Sequence, residues 1–416
     1  MNSSFALAEE REMDAALRQR FDLCRWTAKR AAFSLLRLRQ TARLYEGTQR
    51  GSGHHLRVLH VGDEQRGRFF IEHLFGHHPP ARLLGREFMT PVPRTSRTRS
   101  GEWDLELIEI NRLYSRRYRH AGYFVIPEWI VFGRSVVADP QQRYADAPQS
   151  LRRALRAARE SNFELALSRE PVDFDRFYET MYRPHAVQRF GAGTILKSRR
   201  RLQREFRSGF LMQLRRAGAP VAAGIVRVNG SRASLTAIGV LDGSEEILRS
   251  NASAALDYHL HEWAATHDML RIDVGHTRPF PGDGVFFNKR KWQMHIAPDA
   301  DGAMSMALGW RRSDPRLAEA LENYSFVCEG ANGLGVFGVR LADHPLDLDE
   351  VRKWRRLCWV EGLTDFLGVC SGGVREGVGE QLRAECGPHN FLCRDLEEAR
   401  EQYRTGGRSR TGEVAP

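Results

Sequence analysis

Between Gly209 and Gly275 the chain follows a pattern that few folds can satisfy. Phe210–Arg215, Val221–Val228 and Ser234–Val240 read as strands, joined by Ala217-Gly218-Ala219-Pro220 and Asn229-Gly230-Ser231. Asn-Gly is a hairpin signal because both central positions of the favoured turn take positive φ. A helix follows over Ser250–His267, with Ala252, Leu256, Leu260 and Trp263 along one side. It leads into Leu270–Val274, which alternates apolar and polar residues and stops at Gly275. The order strand, strand, strand, helix, strand predicts an antiparallel meander and then a crossover to a parallel-type position. The expected class is α/β (α+β), a mixed sheet flanked by helices.

Past Gly275, Arg278-Pro279-Phe280-Pro281-Gly282-Asp283-Gly284 cannot continue a strand, because prolines lack donors and glycines allow positive φ. A shaped loop is expected. Val285–Trp292 then sets Phe286, Phe287 and Trp292 among Lys289, Arg290 and Lys291, a basic, aromatic turn able to hold a phosphate or a developing oxyanion. An aromatic anchor with a solvated basic face is the plainer reading of the same residues.

The 416 residues leave room for two or three domains. Phe5–Tyr45 reads as helix-rich, apolar on one face and arginine-rich on the other, and Glu46–Gly53 as a linker. Leu56–Gly62 reads as a strand and Asp63–Phe75 as a helix capped by the aspartate. Alternation returns at Trp103–Asn111 and Tyr123–Arg134. A polar connection over Asp139–Pro148 precedes the basic helix Ser150–Ser161 and a strand at Phe163–Ser168. Asp173 opens a helix carrying Phe174, Phe177, Met181 and Tyr182, which Pro184 should end. Beyond Trp310 come a helix at Asp314–Asn323, a glycine-punctuated strand region at Ser325–Gly338, a helix at Leu346–Gly362 and a strand at Thr364–Cys370. The tail from Thr405 to Pro416 is expected to be disordered.

Sixty-three Lys plus Arg against 52 Asp plus Glu give a net charge of +11. Polyanions are the partners this favours: phosphate-bearing cofactors, tRNA or an anionic lipid surface. No apolar run approaches the ~20 residues of a membrane span. MNSSFALAEEREMD lacks the basic start and apolar core of a secretory signal, so a cytoplasmic protein is expected. The six cysteines show neither C-x-x-C nor zinc spacing, and reduced thiols without a metal are expected. Gly368-Val369-Cys370-Ser371-Gly372 has the letters of a nucleophile elbow, but only His389 follows it and the preceding sheet pattern is missing.

The meander, helix and strand of Gly209–Gly275, followed by DGVFFNKRKW, resemble the GNAT acyltransferase superfamily, and within it the Fem-type branch of tandem-domain acyl and aminoacyl transferases. FDRFYETMYRPHAVQRFG, Phe174–Gly191, looks like the opening helix of such a domain. Asp283-Gly284, Lys289 and Trp292 look like the branch's turn and Lys-x-x-aromatic ending. The likeness covers Leu151–Trp310, and the first half enters as a second, degenerate copy. The resulting division is 1–50 helical, 51–148 degenerate GNAT-like, 149–310 GNAT-like, 311–404 a C-terminal α/β extension and 405–416 tail.

The resemblance implies an N-acyltransferase in which an amine attacks an ester or thioester directly. The donor is acyl-CoA or aminoacyl-tRNA, and the acceptor a small-molecule or cell-envelope-precursor amine. In such a domain the fourth and fifth strands splay, and the start of the intervening helix, here Arg249-Ser250-Asn251-Ala252-Ser253-Ala254, offers free amides to the donor. The family's acyl-CoA loop reads Arg or Gln, two residues, Gly, one residue, then Gly or Ala. This chain keeps Arg249 and Ala254 but has Ala252 at the first glycine, where a Cβ obstructs a diphosphate and counts against CoA. Gln188–Gly193 matches the same motif letter for letter but follows a helix. Lys289 and Asp283 are the implied catalytic residues, and Tyr182, His185, Arg189, Arg278, Lys291 and Trp292 the implied substrate contacts. The alternative is a non-catalytic protein that grips RNA or a membrane surface on a degenerate GNAT fold.

Overall fold

The computed structural model describes residues 39–90, 103–137, 147–190, 196–299, 302–311, 314–322 and 324–406. The helix expected from Phe5 therefore lies outside the described residues up to position 38. So do most of the 139–148 connection, Gly191–Gly193 and the tail from position 407.

The chain begins with β1 (Arg39–Thr48), β2 (His55–Gly62), α1 (Glu64–Phe75), β3 (Ala81–Phe88), β4 (Leu105–Asn111), α2 (Ser115–His120), β5 (Phe124–Pro127) and β6 (Ile130–Ser135). It continues through α3 (Gln149–Glu160), β7 (Glu164–Ser168), α4 (Pro171–Arg176), a π-helical turn (Phe177–Tyr182), α5 (Arg183–Phe190) and α6 (Arg199–Arg207). Next come β8 (Gly209–Arg216), β9 (Ala219–Asn229), β10 (Arg232–Val240), α7 (Glu245–Arg249), α8 (Ala252–Thr266) and β11 (Arg271–Thr277). Then follow α9 (Gly284–Lys291), β12 (His295–Pro298), β13 (Met304–Trp310), α10 (Pro315–Leu321), β14 (Phe326–Glu329) and β15 (Leu334–Arg340). The last elements are α11 (Leu348–Cys358), β16 (Leu363–Cys370), α12 (Val378–Cys386), β17 (Asn390–Cys393) and α13 (Leu396–Thr405).

These elements form a mixed α/β protein with sheets flanked by helices, grouped into two compact units. Unit 1 holds residues up to 130, 278–283 and from 298 onward; unit 2 holds 131–277 and 284–297. This differs from the sequence expectation at several points. Residues 39–45 form a strand, not helix: Gln40, Ala42 and Leu44 alternate inward, and the strand pairs with β2 from Thr41↔Gly62 to Thr48↔His55. It therefore runs through much of the expected linker. β13 belongs to unit 1, where it pairs with β4 and β5.

Unit 1 contains a six-stranded sheet, β3-β1-β2-β4-β13-β5, and a four-stranded one, β14-β15-β16-β17. One core serves both. Phe124, fully buried, stacks on Trp310 at 5.2 Å and Tyr403 at 4.4 Å, and meets Phe337 at 4.7 Å. Buried aromatics of this size dominate the energetics of a core, which ties the C-terminal strands to the first sheet. The Tyr403 hydroxyl donates to the Glu329 carbonyl at 2.8 Å and accepts from the Val125 amide at 3.0 Å, so its polar end is satisfied.

Unit 2 is built on a seven-stranded sheet, β12-β6-β11-β10-β9-β8-β7. β7 to β10 form an antiparallel meander, and after α8 the strand β11 lies parallel to β10. This is the order the sequence predicted. Leu211, Ala223, Ile225 and Ala237 form one sheet face with Phe174, Phe177, Leu202 and Phe206, while Phe210 meets Trp263 of α8 on the other at 4.7 Å. The β9–β10 hairpin turns on Gly230-Ser231, with only Gly230 at positive φ (56°), so Asn229 is a strand residue and not a central turn position. Pro184 does not end its helix. The π-helical turn before it widens the backbone, so the missing N–H and the ring are accommodated and α5 continues. Val285–Lys291, expected as a turn, is helical.

Two tests follow from this packing. Ala217 and Gly218 hold the β8–β9 turn at φ 50° and 75°, a geometry that favours Asn-Gly. Ala217→Asn should raise unfolding stability by about 0.5–1 kcal/mol in urea titrations. His60 is fully buried with both ring nitrogens unbonded, and burial pushes its pKa down to about 3. Only the unfolded chain takes up this proton as pH falls below ~6.5, so the stability is present at neutral pH and lost towards pH 3, at up to about 1.4 kcal/mol per pH unit. His60→Leu should flatten the pH dependence of melting across that window.

Candidate functional site

β10 and β11 run side by side only briefly. Their parallel pairing covers Arg232–Ser234 against Arg271–Asp273, although β10 continues to Val240 and β11 to Thr277. On the other side of β10 the ladder to β9 shifts register between Leu235 and Ala237, leaving Thr236 as a bulge. A bulge adds one residue and bends its strand, and here it falls just past the last β10–β11 pair. Beyond Ser234 the sheet is open on that edge, and backbone groups there have lost their neighbouring strand.

Two ammonium groups hold the parted strands. Lys197 donates to the Thr236 carbonyl at 2.8 Å and to Glu205 at 3.1 Å. Burial lowers its pKa, against the pull of Glu205. Lys289, on α9, donates to the carbonyls of Gly275 and His276 at 3.0 and 3.2 Å, its ammonium 5.5 Å from the Phe132 ring centre. Thr277, which ends β11, is buried with its hydroxyl unpartnered.

The helix that crosses from β10 to β11 starts without a cap. Asn251 sits in the left-handed region at φ 64° and its side chain bonds none of the first-turn amides of α8; the first turn also has no acidic residue. The first turn of any helix leaves amides without an intrahelical acceptor, and the dipole makes that end positive. Ala252 and Ala254 are buried, Ser250 bonds the Ile247 carbonyl at 2.7 Å, and Arg249 is exposed and paired with Glu245 at 2.7 Å. The outer half of β10 packs against the π-helical turn so closely that a Cβ on Gly239 would stand 2.6 Å from the Met181 carbonyl carbon.

Tyr182 and His185 lie on this turn and on α5. The Tyr182 hydroxyl accepts from the Lys197 amide at 3.0 Å, and burial raises its pKa. His185 is buried with Nδ1 unbonded, and burial lowers its pKa. Arg189 is exposed near the end of α5; Lys291 ends α9, and Trp292 beyond it is buried. The structure therefore groups Tyr182, His185, Arg189, Arg249–Ala254, Lys289, Lys291 and Trp292 in unit 2.

Arg278 and Asp283 belong instead to unit 1. Phe280 between them is fully buried among Phe69, Phe70, His73 and Tyr324, and the Pro279 carbonyl accepts from the Val327 amide at 2.7 Å. Arg278 stacks on Trp129 at 3.9 Å and on Phe69 at 4.8 Å; burial brings its pKa down to about 10, against the pull of Glu128 and Asp283. The Asp283 amide donates to the Phe280 carbonyl at 2.9 Å, closing a turn whose central residues are Pro281 and Gly282.

Unit 1 has its own parallel crossover, from β2 to β4 with α1 and then β3 between them in sequence, but it is closed. β2 and β4 stay paired from Val58↔Leu105 to Val61↔Ile108, one residue short of the end of β2. Asp63 caps α1, accepting from the amides of Gln65 and Arg66. Glu109 then fills the crossover's mouth, taking the Asp63 amide at 2.7 Å and the Arg66 guanidinium at 3.0 Å. A cleft of ≈ 540 Å³ opens over Gly62, Asp63 and Glu109, where the carboxylates of Asp63 and Glu109 take the helix-start amides and the Arg66 guanidinium. Cys370 is buried, and burial pushes its thiol up to about 12, which disfavours the thiolate a nucleophile needs.

Sequence reading missed Lys197. A signal was present: only Lys29, Lys197, Lys289, Lys291 and Lys353 interrupt an otherwise arginine basic set.

No protein-family model and no curated protein matches the sequence. Solved structures with a similar course include the C-terminal domain of a putative lysylphosphatidylglycerol synthetase from Agrobacterium fabrum, at 12% identity over 68% of this chain and 84% of that one, TM-score 0.32. FemX is similar at 9% identity over 64% and 84%, TM-score 0.35. A GCN5-related N-acetyltransferase from Sphaerobacter thermophilus follows at 12% over 50% and 59%, TM-score 0.27. The fold statement rests on the strand order itself.

Lys289→Met removes both donors from the free end of β11. It should cost about 1–2 kcal/mol of stability and speed amide exchange at the Gly275–Thr277 end of the strand, read by hydrogen-exchange mass spectrometry.

Proposed function

We propose that unit 2 transfers an acyl or aminoacyl group to an amine, with the donor seated in the opening between β10 and β11. The observation that carries this reading is the loss of strand pairing after Ser234 and Asp273, beside an uncapped helix start. Free amides at the head of a 15-residue helix favour the phosphate or carbonyl end of a donor, and N–H groups on the open edge of β10 are suited to an oxyanion. The amine nitrogen bonds the donor carbonyl carbon, the oxyanion collapses, and the bond to the ester oxygen or thioester sulfur breaks. The amine's proton goes to a base and the leaving group takes one up.

His185 is our choice of base, since burial keeps its imidazole neutral at physiological pH. Lys289 acts through β11, holding the opening in shape, and so is a positioning residue. In this reading the exposed Arg189 and the half-buried Lys291 meet the donor's phosphates, and Trp292 anchors the end of α9. Arg278 and Asp283 hold their own loop in unit 1.

Ligand-induced stabilisation tests the site. Coenzyme A, acetyl-CoA and aminoacyl-tRNA are each added to the full chain, and one of them should raise the melting temperature. Ser253→Glu places a carboxylate at the head of α8, where it favours the helix by about 0.3–1 kcal/mol while competing with the donor. The variant should keep its own melting temperature and lose the shift. No shift with any of the three ligands, or a shift untouched in the variant, would sink the reading. His185→Gln should lower turnover at least 10-fold and remove the acidic limb of the rate profile.

A further inference from the structure

α3 turns Leu151, Leu155 and Ala158 inward against α8, which leaves Arg152, Arg153, Arg156 and Arg159 exposed on its outer side. None of the four has an ion-pair or hydrogen-bond partner among the described residues. That is uncommon on a helix this basic, where i,i+4 carboxylates normally balance the charge.

β7 follows α3 and is the edge of the seven-stranded sheet. Leu165 pairs with Leu214 and Leu167 with Met212, so both leucines project to the side of the sheet that α8 covers, the side on which α3 packs. Leu214 and Met212 are buried there, but at the edge Leu165 and Leu167 remain 39% and 47% exposed. Phe163 precedes them by the same two-residue step, with the Arg216 guanidinium 4.9 Å over its ring. The edge of unit 2 thus carries an apolar stripe beside a row of unpaired arginines.

We propose that this face seats unit 2 on an anionic phospholipid surface. Arginines meet lipid phosphates while their stems lie along apolar ground, and aliphatic side chains beside them enter the headgroup–acyl boundary. A nucleic acid uses the charges equally well but leaves the leucines in water, so the stripe is what selects the lipid. The proposal goes beyond acyl transfer and stands without it.

Co-flotation of the full chain with vesicles tests it. Vesicles of equal parts phosphatidylcholine and phosphatidylglycerol should carry the protein at low salt, and phosphatidylcholine alone should not. Neutralising Arg152, Arg156 and Arg159 to Gln should weaken partitioning by roughly 100-fold, at roughly fivefold per arginine. Leu165→Ser with Leu167→Ser should weaken it with the salt dependence unchanged. All these positions are exposed, and an unchanged melting temperature confirms that each variant is folded. Absence of flotation would overturn the proposal. So would flotation indifferent to either variant, or arginine-dependent binding confined to a duplex RNA oligonucleotide.

Discussion

Where β10 and β11 part, lysine ammonium groups take up strand carbonyls. A sheet edge inside a protein is costly unless its polar groups find other partners. Here the bulge at Thr236 turns β10 aside, and Lys197 takes up the carbonyl that the bulge exposes. On the facing strand Lys289 bonds two successive carbonyls, of Gly275 and His276. A lysine ammonium suits this work because its three donors rotate freely on a compact head, whereas a planar guanidinium is shaped for a carboxylate or phosphate. The gap therefore has its own scaffold, and it is formed before any ligand enters.

The two crossovers show what such scaffolding decides. In the crossover from β2 to β4 the strands remain paired nearly to the end of β2, an aspartate caps α1, and Glu109 bonds the amide of that aspartate. In β10-α8-β11 pairing stops early and neither a capping side chain nor a first-turn carboxylate meets the helix start. The same physical groups, amides at a helix head with a positive dipole, are satisfied internally in one case and left for an outside acceptor in the other.

Much of unit 2 was legible in the sequence. The meander, the crossover helix and the returning strand appeared through period-2 alternation, turn glycines and a 3.6-residue stripe, because each element buries one face against the same sheet. What local pattern could not show was the distance between strands. Pairing that ends at Ser234 depends on a bulge, and Thr236 in isolation is an ordinary strand residue. Pro184 misled for a related reason: its effect depends on whether the preceding turn is α or π, which propensity does not encode. The bonds from Lys289 to the carbonyls of Gly275 and His276, 14 and 13 residues away in sequence, are invisible to spacing rules. Lys197 and Lys289 are two of the five lysines in the sequence, and both bond strand carbonyls.

The segment from Leu270 to Trp292 also divides in a way its composition conceals. Read as a strand, a shaped loop and a basic, aromatic turn, it suggested that Arg278, Asp283 and Lys289 share a task. The structure instead gives β11 and α9 to unit 2 and the six residues between them to unit 1, held there by the burial of Phe280. An aromatic side chain that buries fully contributes on the order of 2–3 kcal/mol, whereas Arg278 and Asp283 flank it as stacked and turn-forming groups. The loop's prolines and glycines shape this insertion, with Pro279 offering the carbonyl that Val327 binds. Residues adjacent in sequence thus serve different cores.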